Sequence, residues 1–187
     1  MALDISVREE ACPLGLAPTA STTAALAMGD ALAMALVDLR GFSAEQFAER
    51  HPGGDLGKRF LRVRDLMHAG ARLPAVPKEA PLEAAILEIS SKGFGVTAVV
   101  GPSGRLEGVI TDGDLRRWLE RRRDHALEAT AADAMTRDPV TIDGGELAAA
   151  ALELMERHHI TSLFTTDQAG RPVGIVHLHD LWRTQLF

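Results

Sequence analysis

Apolar residues recur at helical spacing from Pro81 to Ile89 and again from Glu146 to Arg157. Each run is followed by a short, mostly apolar block, Gly95 to Val100 and Ile160 to Thr165. The first pattern predicts a helix with one buried face, and the second a buried strand. Pro102-Ser103-Gly104 and Asp167-Gln168-Ala169-Gly170 then supply turn chemistry, so each strand should fold back as a hairpin. The returning strands begin at Gly108-Val109-Ile110 and Gly174-Ile175-Val176. Each runs into a tight polar turn and then an aspartate, Asp114 or Asp180, in the first turn of another helix.

The two stretches match beyond their polarity. Gly104-Arg105 precedes Gly108 at the distance that separates Gly170-Arg171 from Gly174, and upstream Asp65-Leu66-Met67 answers Asp133-Ala134-Met135. An internal repeat of this size means two copies of one supersecondary unit. The unit reads as helix, strand, turn, strand, helix, preceded by a short extended arm. Its ending suits a particular chemistry. A helix start after a strand presents unpaired backbone N–H groups and the positive end of a dipole. The Thr111 hydroxyl can donate to an anion there, and the Asp114 carboxylate can accept from two neighbouring ribose hydroxyls. The same residues at the same spacing also make an ordinary helix cap, and the pattern alone leaves both readings open.

Over Leu61 to Phe187 the doubled glycine–strand–aspartate ending resembles the cystathionine-β-synthase (CBS) domain, normally found as a tandem pair. The resemblance implies β-α-β-β-α units that pair through their sheets and bind an adenosine-type nucleotide. It assigns ligand contacts to Thr111 and Asp114, with Val96 and Thr97 on the preceding strand. In the second copy it assigns them to His177, Asp180, Thr161 and Ser162. His177 departs from the pattern, standing where threonine or serine is usual, so one occupied site per chain or a ligand with a different anionic group is expected. Arg116 or Arg117 could neutralise a phosphate.

Upstream of the repeats, Ala2 to Val7 reads as a short strand. A hydroxyl-rich turn through Thr19-Ala20-Ser21-Thr22-Thr23 feeds a predicted helix from Thr22 to Arg40, with Gly41 as its stop. That helix is apolar almost all round apart from Asp30 and Asp38, which predicts burial in a core or a subunit interface. Asp30 and the many alanines argue against a membrane span. Ser43 to Arg50 is a second helix, with Ser43 as N-cap and Gln46 at the capping-box position. It leads into the glycine-rich turn His51-Pro52-Gly53-Gly54.

Composition narrows the partners. The chain has 187 residues, 46% of them hydrophobic, and a formal net charge of −6, which argues against a general nucleic-acid binder. One cysteine, Cys12, excludes an internal disulfide framework and fits a reducing cytoplasm. Met1 to Ala11 carry three acids and no long apolar stretch, unlike a signal peptide. His158, His159, His177 and His179 lack a cysteine or paired carboxylate to complete a metal cage.

Glu10-Ala11-Cys12-Pro13-Leu14-Gly15-Leu16-Ala17-Pro18-Thr19, then Met28-Gly29-Asp30-Ala31, Arg40-Gly41-Phe42 and His51-Pro52-Gly53-Gly54, are similar to the D-arabinose-5-phosphate isomerase family. That family joins a sugar isomerase (SIS) domain, a doubly wound α/β fold, to a CBS pair, usually in a tetramer. The resemblance implies an α/β chain in which 1–60 is the C-terminal remnant of the SIS domain, with CBS copies at 61–123 and 124–187. It implies interconversion of D-ribulose 5-phosphate and D-arabinose 5-phosphate, which supplies the sugar acid Kdo for lipopolysaccharide. Aldose–ketose isomerisation needs a base to move a proton between C1 and C2, and Glu10 and His51 match catalytic positions of the family. The sugar-phosphate-binding loops of the SIS domain are missing from this chain. It is therefore expected to act chiefly as the regulatory module, cytoplasmic and homo-oligomeric. No cofactor is required, and the regulatory ligand would be AMP, ATP or a cytidine-linked Kdo. The alternative is a free-standing nucleotide sensor or oligomerisation module without catalytic activity.

Overall fold

In the computed structural model, which describes residues 2–50, 55–122 and 128–185, the two sequence repeats fold alike. The first runs β1 (Ala75–Pro77), α5 (Leu82–Lys92), β2 (Val96–Val100), β3 (Leu106–Thr111) and α6 (Asp112–Arg122). The second runs β5 (Thr141–Ile142), α8 (Ala148–His158), β6 (Ser162–Thr166), β7 (Pro172–His177) and α9 (Leu178–Arg183). In each, the first strand pairs parallel to the second, and the hairpin pairs antiparallel. The predicted turns close with Gly104 and Gly170 both at φ 76°, a backbone conformation that glycine adopts without steric cost. The order helix, strand, turn, strand, helix is the one the pattern predicts.

The arms that precede the repeats are exchanged. The short helix α4 (Val63–Leu66) lies ahead of the first repeat, yet Val63 is buried in the core of the second, among Ala151, Met155, Leu163 and Val176. Its backbone is tied there, with the Val63 N–H donating to Glu146 O at 2.9 Å and the Ala148 N–H to Leu61 O at 2.8 Å. Reciprocally, α7 (Ala131–Ala134) precedes the second repeat and buries Ala131 and Ala134 against Leu82, Ile89 and Ile110 of the first. The following residues Thr136–Arg137, β4, add a fourth strand to the first sheet.

This exchange explains three of the repeated markers. Asp65 and Asp133 each sit at the third position of an arm helix and accept from the backbone N–H at its cap, Arg62 or Thr130, at 2.9 Å. Met135 and Met67 lie directly over Gly108 and Gly174. A Cβ at Gly108 would come within 2.6 Å of Met135 Sδ and 2.8 Å of the Thr136 carbonyl, and one at Gly174 would overlap Met67 Sδ. The glycine of one repeat and the methionine of the other repeat's arm are therefore a single packing feature. A third cluster, Phe94, Val96, Ala98, Phe164 and Ile175, joins residues of both repeats in one apolar layer.

Residues Met1–Arg50 form a separate unit. Its helices are α1 (Ala20–Leu39) and α2 (Ala44–Arg50), the second followed in the chain by α3 (Asp55–Arg59). Gly41 stops α1 at φ 57°, and Ser43 and Gln46 form the predicted reciprocal cap. Two expectations are corrected. Ala2 to Val7 has no regular structure, because a strand needs a partner for its backbone groups and none pairs with it among the described residues. Nor is α1 buried in a core: it has no buried residue, and Leu26, Met34 and Leu39 are exposed. A unit of this size offers no second layer to cover a helix that is apolar all round. By length and composition alone α1 could cross a bilayer, a test that core helices of soluble proteins also pass.

Candidate functional site

The end of β3 and the start of α6 set the first half of the site. Thr111 closes the strand and Asp114 sits three residues on, so their side chains meet across the first turn. The Thr111 N–H and Oγ1–H both donate to Asp114 Oδ2, at 2.9 and 2.7 Å, and the Asp114 N–H donates back to Thr111 Oγ1 at 3.1 Å. The helix-cap reading is thus realised. The other carboxylate oxygen is also engaged: Oδ1 accepts from Arg117 Nη2 at 2.6 Å and from Thr136 Oγ1, on the exchanged arm, at 3.1 Å. Burial pushes the Asp114 carboxyl upward, but the hydrogen bonds from Thr111, Arg117 and Thr136 outweigh it and hold the group below its ordinary range.

The second half repeats this arrangement with different atoms. His177 stands in the place of Thr111, and its Nδ1 accepts from the His179 N–H at 3.1 Å, as a capping hydroxyl would. Asp180 Oδ2 accepts from the His177 N–H at 3.0 Å. Asp180 Oδ1 pairs with Nε2 of His68 at 2.9 Å, and His68 follows Met67 as Thr136 follows Met135. Two histidines therefore replace two threonines at corresponding positions. Their rings fill the region: His68 lies 5.0 Å from Phe94, and His177 lies 5.0 Å from His179 in a stacked pair. Burial, together with the neighbouring His179 and His68, holds the His177 imidazole below its ordinary pKa, with Asp180 opposing.

Between the halves opens a cavity of about 820 Å³, roomy enough for a nucleotide-sized ligand. Of the sequence-predicted residues, Val96, Thr111, Asp114, Thr161, Ser162 and His177 line it, and so does Arg117. Thr97 and Asp180 do not. Thr97 is fully buried within its strand, and Asp180 is turned to His68. The sequence reading missed Thr136, His68 and Phe94. The first two had a signal, since each immediately follows the repeated Asp-x-Met. His158 and His159 also face the cavity, His159 as the left-handed cap of α8 with φ 52°. Among the described residues no group of three histidine, cysteine or acidic side chains is arranged to hold a metal ion.

Glu10, in the first unit, caps α1. Its Oε2 accepts from the Thr19 N–H at 2.7 Å, the Thr19 hydroxyl at 3.1 Å and the Ser21 N–H at 3.2 Å. Hydrogen bonds from Ser21 and Thr19 lower its pKa to about 2. His51 lies outside the described residues.

A family model described as the CBS domain matches residues 63–121 and 131–181, one match on each repeat. The chain belongs to the CBS-domain family. Its CBS pair has close structural counterparts. CBSX2, solved in complex with AMP, superposes with a TM-score of 0.57 at 22% identity, covering 67% of this chain and 96% of that one. The CBS domain pair of MJ0100, solved with 5′-methylthioadenosine and S-adenosyl-L-methionine, gives 0.59 at 22% identity, covering 66% and 94%. At that identity these likenesses establish the fold. Along nearly its whole length the chain is also similar to the arabinose 5-phosphate isomerase KdsD of Yersinia pestis, 50% identical over 97% of this chain and 55% of that protein. The chain thus spans about half the length of the curated relatives it matches.

Proposed function

We propose that this chain is the nucleotide-responsive CBS part of an arabinose 5-phosphate isomerase, with 1–60 the end of its SIS domain and 61–123 and 124–187 the two CBS copies. The observation that carries the reading is the Thr111–Asp114 pair on the wall of the cavity. A carboxylate whose pKa is held low can accept from both hydroxyls of a ribose once Thr136 and Arg117 release it, and the freed guanidinium can meet a phosphate. Val96 and Phe94 offer apolar surface for a base. The ligand class is AMP, ATP or a nucleotide sugar such as cytidine-linked Kdo, and no cofactor is needed. The half-length identity to the named isomerases supports the family activity, the ribulose/arabinose 5-phosphate interconversion in the cytoplasm, with Glu10 and His51 in the catalytic step. Its hydrogen bonds from Ser21 and Thr19, which lower its pKa to about 2, make Glu10 a weaker base than a free carboxylate while it caps α1.

Differential scanning fluorimetry of the full chain with AMP, ATP, CMP and cytidine-linked Kdo tests the reading. At least one should raise Tm by several degrees at millimolar concentration, and Asp114→Ala should remove the shift. No shift with any of them would sink the nucleotide reading.

A second reading, an assembly module, is favoured by the exposed apolar surface of α1. It calls for a homo-oligomer whether or not a nucleotide is bound.

A further inference from the structure

The two halves of the cavity share a backbone plan but not an available carboxylate. In the first, Asp114 lines the cavity, and among the described residues its Oδ1 is held by the Thr136 hydroxyl and by Arg117. A hydroxyl gives up an acceptor by rotating about one bond, and Arg117, whose side chain is 60% exposed, can swing into solvent. In the second half, neither Asp180 nor His68 lines the cavity. Asp180 Oδ1 is paired with the His68 ring nitrogen at 2.9 Å, and that ring packs 5.0 Å from Phe94. The backbone beside it is fixed as well: His68 exchanges hydrogen bonds with Ile175 in both directions, at 2.7 and 2.9 Å. A ribose diol could reach Asp180 only by displacing a packed aromatic ring from a strand-like segment. His177, in place of a small hydroxyl, adds a second ring to the same half.

We propose that the CBS pair accepts one ribose-bearing ligand per chain, at Asp114, and that His68 and His177 are the specificity-determining residues that close the second half-site. This rests on the nucleotide reading above and adds a stoichiometry to it. Beside the hydroxyls of Thr161 and Ser162, the second half turns imidazoles to the cavity, from His158, His159, His177 and His179. Those groups complement an acidic substituent of the one ligand better than a second diol.

Isothermal titration of the full chain with AMP separates the two claims. The inference expects one equivalent bound by the wild type, and loss of at least about tenfold in affinity in Asp114→Ala, which corresponds to about 1.4 kcal/mol. The variant His68→Thr/His177→Thr gives the second half the residues of the first, and should bind two equivalents. Two equivalents on the wild type, with only one lost in Asp114→Ala, would overturn the inference and leave the nucleotide reading standing. No binding to the wild type or to the double variant, with AMP or with ATP, CMP or cytidine-linked Kdo in its place, overturns both. His68→Thr alone, in which the capping atom of His177 is kept, is the fallback should the double variant fail to fold. It too should bind more than one equivalent, and one equivalent on a folded His68→Thr protein would count against the closure.

Discussion

Asp114 serves the fold before it serves a ligand, and its substitution should report both. Its carboxylate caps α6, so Asp114→Ala should cost about 1 to 2 kcal/mol in urea unfolding in addition to abolishing the nucleotide response. The pH dependence has a definite sign. A carboxyl held below its ordinary pKa in the folded chain contributes stability that is complete above the unfolded value, about 4, and is lost as the pH falls through the folded value. Asp114→Asn should flatten the fall of Tm below pH 5. His177 adds a separate dependence nearer neutrality. Its imidazole is held below its ordinary pKa by burial and by its histidine neighbours, and its Nδ1 must stay unprotonated to accept from His179. The folded chain therefore binds a proton there less readily than the unfolded chain. The stability His177 contributes is full above the unfolded pKa, about 6.5, and declines as the pH falls toward the folded one. His177→Thr, which restores a capping hydroxyl, should have a shallower loss of Tm between pH 7.5 and 5.5 than the wild type. An equal slope in the two proteins would show that the His177 Nδ1 cap is not what titrates.

At the scale of elements, the repeat was legible because hydrophobic period, turn residues and the glycine and aspartate markers all recur together. The exchange of arms was not. The matching Asp65-Leu66-Met67 and Asp133-Ala134-Met135 mark two equivalent arms, but they carry no information on whose core receives Val63 or Ala134, and both cores offer the same kind of surface. The clue lay in pairs that seemed unrelated, Met135 with Gly108 and Met67 with Gly174, which the fold brings into contact. The two contacts differ in what must yield. A Cβ at position 174 meets side-chain atoms alone, of Met67 and Thr165, whereas one at 108 also meets the Thr136 carbonyl at 2.8 Å. Gly108→Ala should therefore destabilise by about 2 to 3 kcal/mol and Gly174→Ala by about 1. Adding Met67→Ala should relieve the Met67 share of the second clash, leaving the Thr165 contact and a cavity cost. A smaller loss for Gly108→Ala than for Gly174→Ala in urea melts would contradict this account of the exchanged arms. The strand expected at Ala2 to Val7 failed for the opposite reason to the arms: its pattern was adequate, but no edge among the described residues pairs with it.

The described residues fold as a CBS pair with its own apolar clusters and a first unit whose main helix has no buried residue. Apolar patterning predicted burial for α1 in a core or a subunit interface; α1 has no buried residue within the chain, which leaves the interface. Leu26 and Leu39 are 68% and 81% exposed, and side chains of this kind each gain roughly 1.5 to 3 kcal/mol when taken fully out of water. A helix that presents several of them has a strong drive to associate, and a second copy of the chain is the partner expected on the assembly reading above. Sedimentation velocity across micromolar concentrations should show a species larger than the 20.0 kDa protomer. Leu26→Glu with Met34→Glu, two substitutions eight residues apart and so on one helix face, should shift it toward the monomer. The described core clusters of the CBS pair are built from residues 61–181, so nucleotide affinity per chain should change less than about twofold in the same variant. A monomeric wild type would leave α1 without a self-partner and point to the SIS portion of a longer isomerase as its cover. Unchanged assembly in the double glutamate variant would move the contact to the CBS pair itself.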